Sequence, residues 1–246
     1  MSRSVYLLFG VIAYFVFFAT FLYLIGFVGD LPGVPLTVDR GGPLVPLPSA
    51  VAIDLGLVAL FGLQHSLMAR RGFKTAWTRI VPAPVERSTY VLFASAALIL
   101  MYLLWRPIPG TVWMVENRAA AMLLWALFAA GWLIVLLSTF LISHFELFGL
   151  KQVWRHMRGT AASEPVFRQP FFYRLVRHPL YAGFFIAFWA TPHMTLGHLV
   201  LAGGMSVYML IAIRFEERDL VTMFGPQYEE YRGKVGMLTP RLRRPT

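Results

Sequence analysis

Two short stretches hold side chains able to do chemistry at the edges of long apolar runs. Arg177-His178-Pro179-Leu180-Tyr181-Ala182-Gly183 opens one run, and Arg214-Phe215-Glu216-Glu217-Arg218 closes the next. Proline suits the first position of a helix, where its missing N–H costs nothing. The free N–H groups and the dipole of a helix beginning at Pro179 favour an anion. Arg177 adds fixed positive charge beside it, and Gly183 allows close backbone approach. Glu216 and Glu217 offer two carboxylates for an ammonium or for ribose hydroxyls. A ligand with a carboxylate, an ammonium, a ribose and a sulfonium satisfies both stretches, and S-adenosylmethionine is such a molecule. Each group alone has a plainer reading. Arg177 reads as a headgroup anchor, His178 as a helix cap, and the glutamates as a solvated helix end paired with Arg214 and Arg218.

Three further residues stand near the ends of apolar runs. They are His65 in Gln64-His65-Ser66, Arg87 in Glu86-Arg87-Ser88-Thr89-Tyr90, and His144 in Ser143-His144-Phe145-Glu146. A neutral imidazole takes up a proton near neutral pH, so His65 and His144 are candidate bases. Arg87 or Arg70 could steady an anion. His65 also reads as a hydrogen-bonded interior histidine. Tyr228 and Tyr231, three apart, share a helical face. The six histidines show no HxxxH or HxH spacing, and His144 and Glu146 do not face each other on a helix, so no metal is expected. With no cysteine, disulfides, thiolate metal sites and a cysteine nucleophile are excluded.

These residues need elements to position them. The 246-residue chain is 58% hydrophobic and 14% charged, against about 25% charged in soluble domains. Its mean hydropathy is +0.63. That composition fits an all-α integral membrane protein. Apolar runs at about 5–28, 49–69, 88–105 and 119–142 are long enough to span, as a span needs roughly 20 residues. Val5–Val28 has no charge and exceeds a signal-peptide core, so it reads as a retained span. The region 179–213 is broken near Thr191-Pro192-His193 and reads as a helical hairpin, 179–191 and 194–213, with a short first arm. The expectation is about six transmembrane helices with both termini cytoplasmic. Placed so, the inner segments hold 19 of the 22 Lys and Arg residues and the outer ones three. Residues 1–246 form a single membrane domain: four N-terminal spans over 1–142, then a cofactor-binding region over 143–246 made of a cytoplasmic loop, the hairpin and a tail. The outer loop 29–48 is rich in proline and glycine, and the loop 106–118 reads as a turn with an interfacial Trp113. The net charge of +10 reports orientation, and no aromatic-basic platform for nucleic acid is present.

The order RHPLYAG, then Arg214-Phe215-Glu216-Glu217, then Phe224-Gly225-Pro226-Gln227-Tyr228-Glu229-Glu230-Tyr231, with Pro240 beyond, resembles the C-terminal half of the isoprenylcysteine carboxyl methyltransferase family. The resemblance implies a membrane methyltransferase that uses S-adenosylmethionine at the cytosolic face. It implies cofactor contacts for Arg177, His178, Tyr181, Gly183, Glu216, Glu217, Tyr228 and Tyr231. Further segments are similar to the NnrU-like branch: Gln64–Arg70, Trp77–Pro82, Glu86–Tyr90, Arg106–Gly110 and Ser143–Leu150. Within that branch the chain resembles bacterial membrane methanethiol S-methyltransferases, which make dimethyl sulfide. Residues 1–48 carry no part of either resemblance.

The expectation is therefore methyl transfer to a small thiol in a bacterial inner membrane, with the active site facing the cytoplasm, lipids around the helices and no nucleic-acid partner. His65, His144 and Arg87 are the candidate catalytic residues. Two alternatives stand beside it: a lipid or prenylcysteine acceptor, and a non-catalytic NnrU-like membrane protein.

Overall fold

The computed structural model describes residues 2–161 and 166–241. Helices make up nearly all of it: α1 (Arg3–Val28), α2 (Leu47–Ala69), α3 (Arg71–Trp77), α4 (Ala83–Leu104), α5 (Arg118–Ile142), α6 (His144–Leu147), α7 (Leu150–Arg158), α8 (Pro179–Trp189), α9 (Leu196–Phe224) and α10 (Pro226–Lys234). A 3₁₀ turn covers Phe171–Arg174, and two short strands, β1 (Thr111–Met114) and β2 (His193–Thr195), pair antiparallel. Local chemistry sets many of the starts. Proline lies in the first turn of α2, α4, α8 and α10. Asn117 caps α5 by accepting from the Ala120 N–H at 3.0 Å.

Among the described residues five helices are long and apolar enough to cross a membrane: α1, α2, α4, α5 and α9. On α1 the apolar residues Leu8, Ile12, Phe15 and Leu22 are exposed along one stripe, while Gly10, Ala13, Leu24 and Phe27 are buried. In water such a stripe is a liability, whereas in a bilayer it is the lipid-facing side. The sixth expected span is shorter. At 1.5 Å per residue the 11 residues of α8 reach about 16 Å, roughly half the hydrocarbon thickness. The helix stops because Thr191 precedes Pro192, which disfavours helical geometry and brings no donor.

Other differences from the sequence reading are local. The segments 106–118 and 191–193 are not plain turns: Thr111 pairs with Thr195, Trp113 with Met194 and Met114 with His193. α9 does not end near 213 but runs on to Phe224, so Glu216 and Glu217 lie within a helix. The expected cytoplasmic loops contain α3, α6 and α7.

The described chain divides into two compact units. The first comprises 2–114, 144–161 and 193–205. In it α4 packs on α1 and α2, and α7 lies against α1 and α4. Val153 of α7 is fully buried at Gly10 of α1, where a Cβ would stand 2.6 Å from Val153 Cγ2. The proline-rich loop is tied down by Trp105 Nε1, which donates to Val38 O at 3.0 Å, and by Val38 N–H, which donates to Phe27 O. The second unit comprises 115–143, 166–192 and 206–241. Its core is the crossing of α5 and α8, where Gly131 and Gly183 meet. A Cβ on Gly183 would lie 2.7 Å from Gly131 O and 2.9 Å from Val135 N.

Candidate functional site

The second unit brings the first two chemical stretches together. Arg177 Nε donates to Glu217 Oε1 at 2.7 Å, and His178 Nε2 stands 3.1 Å from the same oxygen. The three side chains are only 12%, 3% and 13% exposed. Arg177 is no headgroup anchor. Its Nη1 also donates to the carbonyls of Val235 at 2.5 Å and Arg232 at 3.2 Å. The tail fixes the backbone as well: Arg177 N–H donates to Gly236 O, and His178 N–H to Met237 O. Val176 and Gly236 form a parallel bridge. The start of α8, the late part of α9 and the segment after α10 are thereby joined around one carboxylate. Glu216, on the next helical position, is exposed.

Aromatic rings wall this cluster. Tyr228 and Tyr231 are both buried on one face of α10, as their spacing suggests. Phe167 stands 5.9 Å from the Tyr228 ring, 5.4 Å from Tyr231 and 5.3 Å from Phe224. Tyr231 Oη donates to Tyr173 O at 2.5 Å, while the buried Tyr228 hydroxyl has no hydrogen-bond partner among the described residues. Burial, reinforced by Glu217, raises the Tyr228 phenol above its ordinary range, and burial pushes Tyr231 up to about 12. Both stay protonated donors at neutral pH. The Tyr181 ring lies edge-on to His178 at 5.7 Å. Gly183 faces the α5 crossing, where its missing side chain admits Gly131. A buried orphan hydroxyl is costly unless a ligand or water satisfies it. The cluster can take a ligand with a cationic centre against rings and carboxylates and an anionic end at the start of α8.

The first unit holds the other three residues. His65 Nε2 lies 2.8 Å from Tyr90 Oη, and the Arg87 guanidinium lies over the Tyr90 ring, 4.7 Å from its centre. Arg87 Nε donates to Leu147 O at 2.6 Å. His65 and Arg87 therefore meet through Tyr90. His144 is buried in the short α6, with Nε2 2.9 Å from Tyr14 Oη and its ring 4.9 Å from Phe148. Burial lowers the His144 pKa, which keeps the imidazole neutral at neutral pH. Phe148 also packs on the cluster of Met68, Tyr90 and Val91. The sequence reading missed Tyr14, Phe167, Tyr173 and the tail carbonyls.

Helices of membrane length carrying a charge-paired, aromatic-walled cluster define an integral-membrane helical protein. Comparison with known proteins narrows this. The chain is 51% identical over 240 residues to "Methanethiol S-methyltransferase" of Mycobacterium tuberculosis (strain ATCC 25618 / H37Rv), covering 98% of each chain. It is 48% identical over 240 residues to the protein of the same name from Crocosphaera subtropica (strain ATCC 51142 / BH68), covering 98% of this chain and 93% of that one. It is 34% identical over 180 residues to human "Nurim", covering 69% of this chain and 68% of that protein. No family model and no solved structure matches the chain. The chain belongs to the methanethiol S-methyltransferase family, in keeping with the resemblance seen in its motifs.

Proposed function

We propose that this protein methylates methanethiol with S-adenosylmethionine, releasing dimethyl sulfide, S-adenosylhomocysteine and a proton. Membership of the family supports the acceptor. The observation that carries the donor assignment is the meeting of Arg177 and His178 with Glu217 inside an aromatic wall. When bound, S-adenosylmethionine supplies an electrophilic methyl group on a sulfonium. Arg177, His178, Tyr181, Gly183, Glu216, Glu217, Tyr228 and Tyr231 are the residues proposed to hold it. Tyr228 offers the orphan hydroxyl, Glu216 an exposed carboxylate, and the rings a face for a cation.

The thiol is a poor nucleophile until it loses its proton. His65 and His144 are the proposed bases. Tyr14 orients the His144 ring, and burial keeps that ring in the neutral form that accepts a proton. Arg87 acts through Tyr90, fixing the phenol that faces His65, and is a positioning residue in this reading. The bias of Lys and Arg to the segments between alternate helices supports a site facing the cytoplasm of a bacterial inner membrane with both termini on that side. The bilayer supplies the lipid partner and concentrates a small apolar thiol.

Membranes carrying the protein, given methanethiol and S-adenosylmethionine, should release dimethyl sulfide into the headspace. No release from folded protein that still binds the donor would point to a lipid or prenylcysteine acceptor. Absence of donor binding would favour a non-catalytic membrane protein.

A further inference from the structure

Near the end of α2, Met68 is buried against Tyr90 and Val91, with Phe17, Phe73, Trp77 and Phe148 packed around the group. Gln64 Nε2 donates to Met68 Sδ at 3.1 Å. The methionine side chain ends in CH₂–S–CH₃, so a methyl thioether sits among aromatic rings with an amide donor on its sulfur. This is the chemistry of dimethyl sulfide with one hydrogen replaced by the chain. Two more polar atoms belong to the same neighbourhood. Gln64 Oε1 and Trp77 Nε1 are buried without a hydrogen-bond partner among the described residues. One is an acceptor suited to an S–H, and the other is a donor suited to a thiolate. Aromatic rings favour sulfur at their edges, and methionine, being unbranched, repacks readily.

We infer that the Met68 thioether occupies the place of the small thiol, with Gln64 and Trp77 recognising the sulfur and Met68 setting the largest acceptor admitted. This rests on the thiol-methylation reading above. In binding, the Met68 terminus swings aside and the acceptor takes its sulfur contacts.

Shortening Met68 should enlarge the place, and removing the amide should weaken sulfur recognition. In purified full-length protein, Met68→Ala is expected to raise the kcat/KM ratio of 1-propanethiol to methanethiol at least about tenfold, since a methylene discriminates about 10–200-fold. Gln64→Leu is expected to raise the methanethiol KM about tenfold with the KM for S-adenosylmethionine unchanged, the effect of about one hydrogen bond. If Met68→Ala does not fold, Met68→Val carries the same selectivity test with two fewer heavy atoms lost. Selectivity and methanethiol KM within about twofold of wild type in folded Met68 and Gln64 variants would overturn the inference. Wild-type protein that binds the donor but leaves methanethiol unmethylated would instead overturn the functional reading on which it rests.

Discussion

Replacing Glu217 by Gln tests the cluster most directly. The substitution keeps the shape and one acceptor oxygen but removes the charge that Arg177 and His178 share at 2.7 and 3.1 Å. Removing one partner of a fully buried ion pair costs about 3–5 kcal/mol. Here Arg177 keeps the carbonyls of Arg232 and Val235. The pair also retains slight exposure to solvent. We therefore expect about 2 kcal/mol lost, a fall in melting temperature of roughly 4–8 °C for a chain of this size. Donor affinity should fall further than stability explains, by about 30-fold if the same 2 kcal/mol is withdrawn from binding. Thermal unfolding in detergent measures the first, and titration calorimetry with S-adenosylmethionine on the folded fraction the second. Wild-type melting with donor affinity within about twofold of wild type would refute the claim that this carboxylate organises a donor site.

Two further outcomes follow from the geometry. Burial holds His144 below the ordinary histidine pKa, so its folded-state value lies under the unfolded one. The stability it contributes is complete above about pH 6.5 and is lost as pH falls through the folded pKa. Turnover should show an acid limb below about 6.5, and His144→Asn should abolish that limb in a pH–rate profile; an unchanged limb would remove His144 as the base. Gly183→Ala would put a Cβ 2.7 Å from Gly131 O at the α5–α8 crossing, costing about 1–3 kcal/mol by overpacking. A melting temperature equal to wild type would show that this crossing is looser than described.

Much of this was legible in the sequence, and the reasons differ by residue. Long, predominantly apolar runs placed α1, α2, α4 and α5 to within a few residues, because a bilayer leaves the backbone no alternative to helix. Pro192 marked the hairpin break for the same reason that it stops α8. The approach of Arg177 to Glu217 followed from a hairpin bringing its two ends to one side. The end of α9 was misjudged because charged residues read as a helix foot, yet they continue the helix as the face that carries Glu217. The β1–β2 pair was illegible because two three- or four-residue strands leave no periodicity to read. Tyr14 and Phe167 escaped because their partners are distant in sequence, and only packing reveals them. Gly183 had a visible need for close approach, but the sequence does not say that the approaching backbone is α5.

The tail that latches onto Arg177 has a consequence for biosynthesis. Gly236 and Met237, whose carbonyls accept from Arg177 and His178, are synthesised roughly sixty residues after them. At about 5–20 residues per second, the start of α8 waits several seconds for its closing strand. For about the first forty residues of that delay the guanidinium lacks Glu217 as well, and over the remainder it has Glu217 but not the carbonyls of Arg232 and Val235. A ribosome stalled or terminated before Gly236 would release a chain with every membrane helix inserted and the latch missing, a product that quality-control proteases should recognise while full-length protein is spared.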